Sequence, residues 1–243
     1  PTILAALYRL RRGEHPVEPR TDLPSAAHWL YLLTGREPVP EHARAVEQYL
    51  ISTVDHGFNA STFTARVVAS TGADVGSAVA AAIGAFSGPL HGGAPDRALD
   101  GLDEIGDGAP EDWVRAKVAG GERIMGFGHA VYSTHDPRTA LLREVAGRLG
   151  GPLTARAVDA ERRVVATLAE LKPDHPLYAN VEFYAGVVME QCGIPRPMFT
   201  PTFAVSRVIG WCAHVLEQAG ERRLIRPSAR YSGPPAPQPV PAP

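Results

Sequence analysis

Apolar residues recur at three-to-four spacing along almost the whole chain, and strict two-residue alternation is nearly absent. Such stripes carry the period of the α-helix and leave nothing from which a half-buried sheet could be built. The chain is therefore expected to be all-α. Segment 25–34 shows the grammar: Ser25 as a cap after Pro24, a stripe through Trp29, Leu30 and Leu33, then Gly35 and Pro38 as stops. Segment 41–54 repeats it with Ala43, Val46, Leu50 and Val54. Further helices are expected at 61–70, 75–86, 95–104, 111–118, 137–149, 155–171, 181–192 and 202–218, bounded by Gly, Pro, Asn or Asp.

With 243 residues, 44% of them hydrophobic, the chain can bury the core of one large domain or two modest ones. Its 24 basic and 26 acidic residues are scattered, so no footprint for nucleic acid or an anionic membrane stands out. Cys192 and Cys212 form neither a disulfide framework nor a metal-ligand spacing and read as buried helix residues. The nine histidines include no His-x-x-x-His helix pair, and no phosphate loop, GxGxxG or GxSxG occurs, so no metal or nucleotide cofactor is expected. The longest apolar run, Ala78 to Phe86, is too short for a bilayer, and no basic segment leads into an apolar stretch. A cytoplasmic location is expected. The chain opens on Pro1 within what reads as element interior, so a preceding segment is expected, and the proline-rich stretch after Gly233 is expected to be extended and unpacked.

Four short stretches interrupt the helical pattern: DHGFNAS at 55–61, GPLHGGA at 88–94, GFGHAVY at 126–132 and DPR at 136–138. Glycines flanking His91 and His129 let backbone N–H groups approach a ligand. In DPR, Asp136 and Pro137 fit a helix start, and Arg138 alone reads as a surface residue. In ANVEFYAGVVMEQCG, Glu182 falls near a helix start among Phe183, Tyr184 and Val187, a setting that desolvates a carboxylate and raises its pKa. Arg207 lies within FAVSRVIGWCAHVLE, an apolar helix in which a guanidinium needs an anionic partner.

Taken together and in this order, GPLHGGA, GFGHAVY with DPR, NVEFYAG and SRVIGW resemble the citrate synthase family, over about Pro1 to Gly233. The resemblance implies a nearly all-α, two-domain homodimer that closes over oxaloacetate before acetyl-CoA reacts. It puts 1–92 and 194–233 in a large domain, 93–193 in a small one, and 234–243 in the tail. It implies that His91 hydrogen-bonds the acetyl thioester oxygen, His129 polarises the oxaloacetate ketone and Glu182 is the base. His56 and Arg138 match oxaloacetate ligands, Arg207 matches an arginine that grips a carboxylate, and Arg226 matches one that reaches into the other subunit's site. Two positions depart from the family pattern. Glu182 replaces the usual aspartate, and Ser133 stands where many members carry a basic residue for the CoA phosphates, leaving that charge to Arg123 or to the expected preceding segment. Two alternatives remain open: 2-methylcitrate synthase, which uses propionyl-CoA, and a non-catalytic relative that binds dicarboxylates or a partner subunit.

Overall fold

The computed structural model describes residues 1–88, 91, 94–128, 134–235, 237 and 238, with backbone alone at 94–96. His129 and Ser133 therefore lie outside the described residues. Eleven α-helices run in order among the described residues: α1 (Thr2–Arg11), α2 (Ser25–Thr34), α3 (Pro40–Thr53), α4 (Ala60–Ser70), α5 (Val75–Phe86), α6 (Ala94–Ile105), α7 (Pro110–Ala119), α8 (Pro137–Leu149), α9 (Gly151–Leu171), α10 (Val181–Gln191) and α11 (Phe199–Glu221). A 3-10 turn at Arg196–Met198 leads into α11. The β-structure among the described residues is one isolated antiparallel bridge between Phe127 and Ala179.

The expected helices form, with shifted ends. Helices α9 and α11 begin earlier than expected because Pro152 and Pro201 sit in their first turns, where a missing N–H breaks no helical bond. Ser25 does not cap α2: it is the first helical residue, and Pro24 holds the extended position before it. Cys192 is buried just past the end of α10, whereas Cys212 is only half-buried.

Helices α1 to α5 pack with α11, and α6 to α10 pack among themselves; the two groups meet where α3 touches α8 and α10 and where α6 touches α11. In the first group Phe86 stacks edge-on against Phe203 and Trp211, with ring centroids 4.8 and 5.4 Å apart. The Trp29 indole donates to Thr202 Oγ1 at 3.1 Å, satisfying its N–H inside the core. Each such fully buried large apolar side chain contributes roughly 1.5–3 kcal/mol. Helix α10 is buried on every side from Phe183 to Met189, as an apolar helix at the centre of its group must be. That central position carries Glu182, in the first turn, into the interior.

Candidate active site

Helix α11 grips the chain leading into the DHGFNAS stretch at three successive residues. Arg207 Nε donates to Thr53 O at 2.9 Å. One turn on, Gly210 lies so close to the chain that a Cβ would fall 2.3 Å from Val54 O. A further turn on, His214 Nε2 lies 3.2 Å from Asp55 Oδ1. His56 follows immediately, and Asn59 then starts α4 by accepting from the Thr62 N–H at 3.1 Å.

His91 is set by a buried hydroxyl. Its Nε2 lies 2.8 Å from Ser61 Oγ and 3.4 Å from the Ser61 N–H, and its ring packs edge-on against Phe86. Ser61 Oγ accepts from the Trp211 indole at 3.1 Å. Ser61 Oγ also lies 2.8 Å from Asn59 Oδ1, an amide oxygen that accepts from both Ser61 and Thr62, and the Ser61 backbone N–H, which can only donate, points at His91 Nε2. That arrangement makes Nε2 the acceptor and puts the ring proton on Nδ1, free to donate. Burial, with the charge of Arg207 second, holds the imidazole below its ordinary pKa, which favours a neutral donor.

The GFG stretch is pinned to the start of α10. Gly128 N–H donates to Tyr178 O at 2.8 Å and Asn180 N–H to Gly126 O at 2.9 Å. The Asn180 side chain joins both parts: Nδ2 donates to Gly128 O at 2.9 Å, and Oδ1 accepts from the Glu182 N–H at 3.2 Å. Gly126 and Gly128 adopt φ of +84° and +86°, and a Cβ on Gly126 would press on Ala98 and Phe183 at 3.1–3.3 Å. Only glycine satisfies both the backbone and the space here.

Glu182 lines a cavity of about 600 Å³ that His91 also lines. Burial pushes its carboxyl pKa up, opposed by its own backbone N–H and then by Arg138. Its remaining exposed surface faces that cavity. Arg207, only 1% exposed, sits over the Phe203 ring at 4.8 Å and has no carboxylate partner among the described residues. Burial, then the charge of Arg138, pushes its pKa down to about 10, so it stays a cation at neutral pH. Arg138 is held fork-to-fork by the buried Asp136, through Nε at 3.0 Å and Nη2 at 2.8 Å, while Asp136 also caps α8. Two guanidiniums that feel each other, one without a counter-ion, make a place for an anion of more than one charge.

The structure thus brings His91 and Glu182 to one cavity, sets Arg138 and Arg207 within electrostatic reach of Glu182, and holds His56 on the stretch gripped by α11. Arg226 is exposed beyond α11 and is not brought to the site within this chain. A second cavity also borders His91. Its mouth carries Arg97 and Arg123, neither with a carboxylate partner among the described residues, and Lys117, which is paired with Glu104 and Glu122 at 3.0 Å each. Ser61, Trp211, Asn180 and His214 were not singled out individually by the sequence pattern, and Asp136 was read only as the helix start that it forms. For Asn180, its place immediately before the α10 stripe was the available signal.

The family model for the citrate synthase C-terminal domain matches residues 1–228. Citrate synthase 2 of Bacillus subtilis is 46% identical over 240 residues, which cover 96% of this chain and 63% of that protein. The citrate synthase of Deinococcus radiodurans is 43% identical over 237 residues, covering 96% and 62%. Among solved structures, the ternary complex of the Thermoplasma acidophilum citrate synthase with carboxymethyl coenzyme A and oxaloacetate aligns with a TM-score of 0.89 at 35% identity, over 99% of this chain and 65% of that one. The chain therefore spans somewhat less than two thirds of the length of these relatives.

Proposed function

Because the chain belongs to the citrate synthase family, we propose that the protein condenses acetyl-CoA with oxaloacetate and hydrolyses the product to citrate and CoA. The observation that carries this reading is the pairing, in one cavity, of a carboxyl with raised pKa and a histidine with lowered pKa, beside a buried arginine that has no carboxylate partner among the described residues. A thioester α-proton is too weakly acidic for a carboxylate unless the developing oxyanion meets a donor at the same moment. Glu182 takes that proton while His91 Nδ1–H donates to the thioester oxygen. The enol carbon attacks the ketone carbon of oxaloacetate, whose oxygen gains negative charge and is met by His129. Water then cleaves the citryl thioester, releasing citrate and the CoA thiol.

Arg138 and Arg207 hold the carboxylates of oxaloacetate, with His56 as a further ligand. The Thermoplasma relative holds oxaloacetate together with a CoA derivative, a pair that fits this division of the site. Arg97 and Arg123 meet the CoA phosphates in place of the basic residue absent at Ser133. These residues supply base, donors and anion clamps, so the reading includes no metal. Residues 1–92 with 194–233 form the large domain and 93–193 the small one, closing over the substrates and excluding water until hydrolysis. The protein works as a homodimer. The exposed face of α5 around Val75, Ala80 and Ile83 is apolar and offers a surface for the second copy, and the exposed Arg226 extends toward that copy's site. Among the described residues no helix is long and apolar enough to cross a membrane. The two unpaired cysteines favour a cytoplasmic location.

Full-length protein supplied with oxaloacetate and acetyl-CoA should release free CoA thiol only when both are present. No release with both, or equal release without oxaloacetate, would overturn the reading.

A further inference from the structure

The grip of α11 on residues 53–55 ends in a network that the condensation chemistry does not use. Arg66 of α4 is 3% exposed and reaches α11 with Nη1 3.1 Å from His214 Nδ1, Nε 3.1 Å from Gln218 Oε1, and further bonds to Glu217 and to Glu221. A guanidinium only donates, so His214 Nδ1 must offer its lone pair, and the ring proton sits on Nε2. That nitrogen faces Asp55 Oδ1 at 3.2 Å. The other carboxylate oxygen of Asp55 accepts from the Gly57 N–H at 3.1 Å, so the two oxygens bracket His56. Phe58 closes the group from outside: its ring packs edge-on against His214 at 5.6 Å and lies under the Arg66 guanidinium at 4.8 Å.

We propose that His214 is a positioning residue for His56, its Nε2–H fixing Asp55 and its tautomer fixed in turn by Arg66. This rests on the reading above of His56 as an oxaloacetate ligand. The direction of every bond is set by donor count alone: Arg66 donates to His214, His214 donates to Asp55, and Asp55 accepts from Gly57. The chain on either side of His56 is thereby tied to α11, the helix that carries Arg207. Two groups that grip the same dicarboxylate are held on one rigid element, and loosening one end should weaken dicarboxylate binding without touching the acyl-CoA half of the site.

The test uses the full-length protein with His214→Ala and His214→Gln. Glutamine keeps an N–H for Asp55 and an oxygen for Arg66, so it should rescue what alanine loses. Oxaloacetate affinity by calorimetry and KM for oxaloacetate should weaken about tenfold in His214→Ala, the factor associated with one hydrogen bond. The KM for acetyl-CoA should stay unchanged, and hydrogen exchange over 54–59 should accelerate. Wild-type oxaloacetate affinity in His214→Ala overturns the proposal. So does glutamine performing as poorly as alanine, or a parallel rise in the acetyl-CoA KM, which would mark general loosening. If His214→Ala fails to fold, Asp55→Ala, on a half-exposed side chain, breaks the same link and must give the same split. Wild-type protein that binds no oxaloacetate overturns the functional reading itself, and the exchange measurement still reports whether His214 holds the loop.

Discussion

Replacing Gly210 with alanine tests whether α11 and residues 53–55 form one rigid unit. The added methyl would sit 2.3 Å from Val54 O, 3.1 Å from Asp55 Oδ1 and 3.3 Å from Asp55 Cα. The nearest atom is backbone, so no side chain can swing away, and the chain must retreat from the helix by about 1 Å to restore contact distance. Overpacking of this kind costs about 1–3 kcal/mol. The same retreat stretches the Arg207 to Thr53 bond, one turn away, and a bond to a charged group contributes about 1.5–3 kcal/mol. Alanine returns about 1 kcal/mol through helix propensity. The net is a loss of about 3 kcal/mol, or roughly 6–12 °C in melting temperature for a chain of this size. Displacing His56 by 1 Å should also lower kcat/KM for oxaloacetate by about a hundredfold. Gly147, in α8 with nothing within 4 Å of its Cβ position, is the control, and Gly147→Ala should stabilise. Thermal melts and steady-state kinetics read both effects. A Gly210→Ala protein that melts at or above the wild-type temperature with unchanged oxaloacetate kinetics would refute the close-contact argument.

Arg207→Met should leave the ligand-free protein as stable or more stable, because removing a buried cation that has no carboxylate partner among the described residues offsets the lost bond to Thr53 O. Its melting temperature should then no longer rise with oxaloacetate, and a wild-type rise would remove Arg207 from the site. Glu182 binds its proton more tightly in the folded than in the unfolded state, so stability should fall as pH rises from the ordinary glutamate range through the raised value. Glu182→Gln should flatten that fall in urea melts across pH, and an identical profile would contradict its burial. The opposite sign holds for His91, whose lowered pKa makes the fold lose stability as pH drops below the ordinary histidine range. Mixing Arg226→Ala with His129→Ala protein should restore part of the activity each lacks. If subunits demonstrably exchange and activity stays absent, Arg226 does not serve a second copy.

The helices were legible because each carries its own stripe and stops, and segments 75–86 and 137–149 coincide with α5 and α8. Boundaries failed where proline stands inside a first turn, since the same residue breaks a helix elsewhere. The breaks between helices at 55–59 and 126–128 were legible because glycine beside histidine or asparagine is rare inside helices. Their fixings were not. Trp211 meets Ser61 across 150 positions and His214 meets Asp55 across 159, and nothing local marks either residue as more than a helix side chain. Arg138 illustrates the same limit, because only the fold shows the Asp136 carboxylate turned back to hold it.

In the proposed reaction a base at Glu182 drives carbon–carbon bond formation on oxaloacetate. Its most direct test is a product measurement: full-length wild-type and Glu182→Gln proteins incubated with oxaloacetate and either acetyl-CoA or propionyl-CoA, with the product identified by NMR and oxaloacetate affinity measured on the same samples. The wild type should form citrate one-for-one with free CoA. Glu182→Gln should form almost none while binding oxaloacetate normally. Citrate formed by Glu182→Gln at the wild-type rate would contradict the proposed reaction, as would wild-type protein that binds oxaloacetate and makes product from neither thioester.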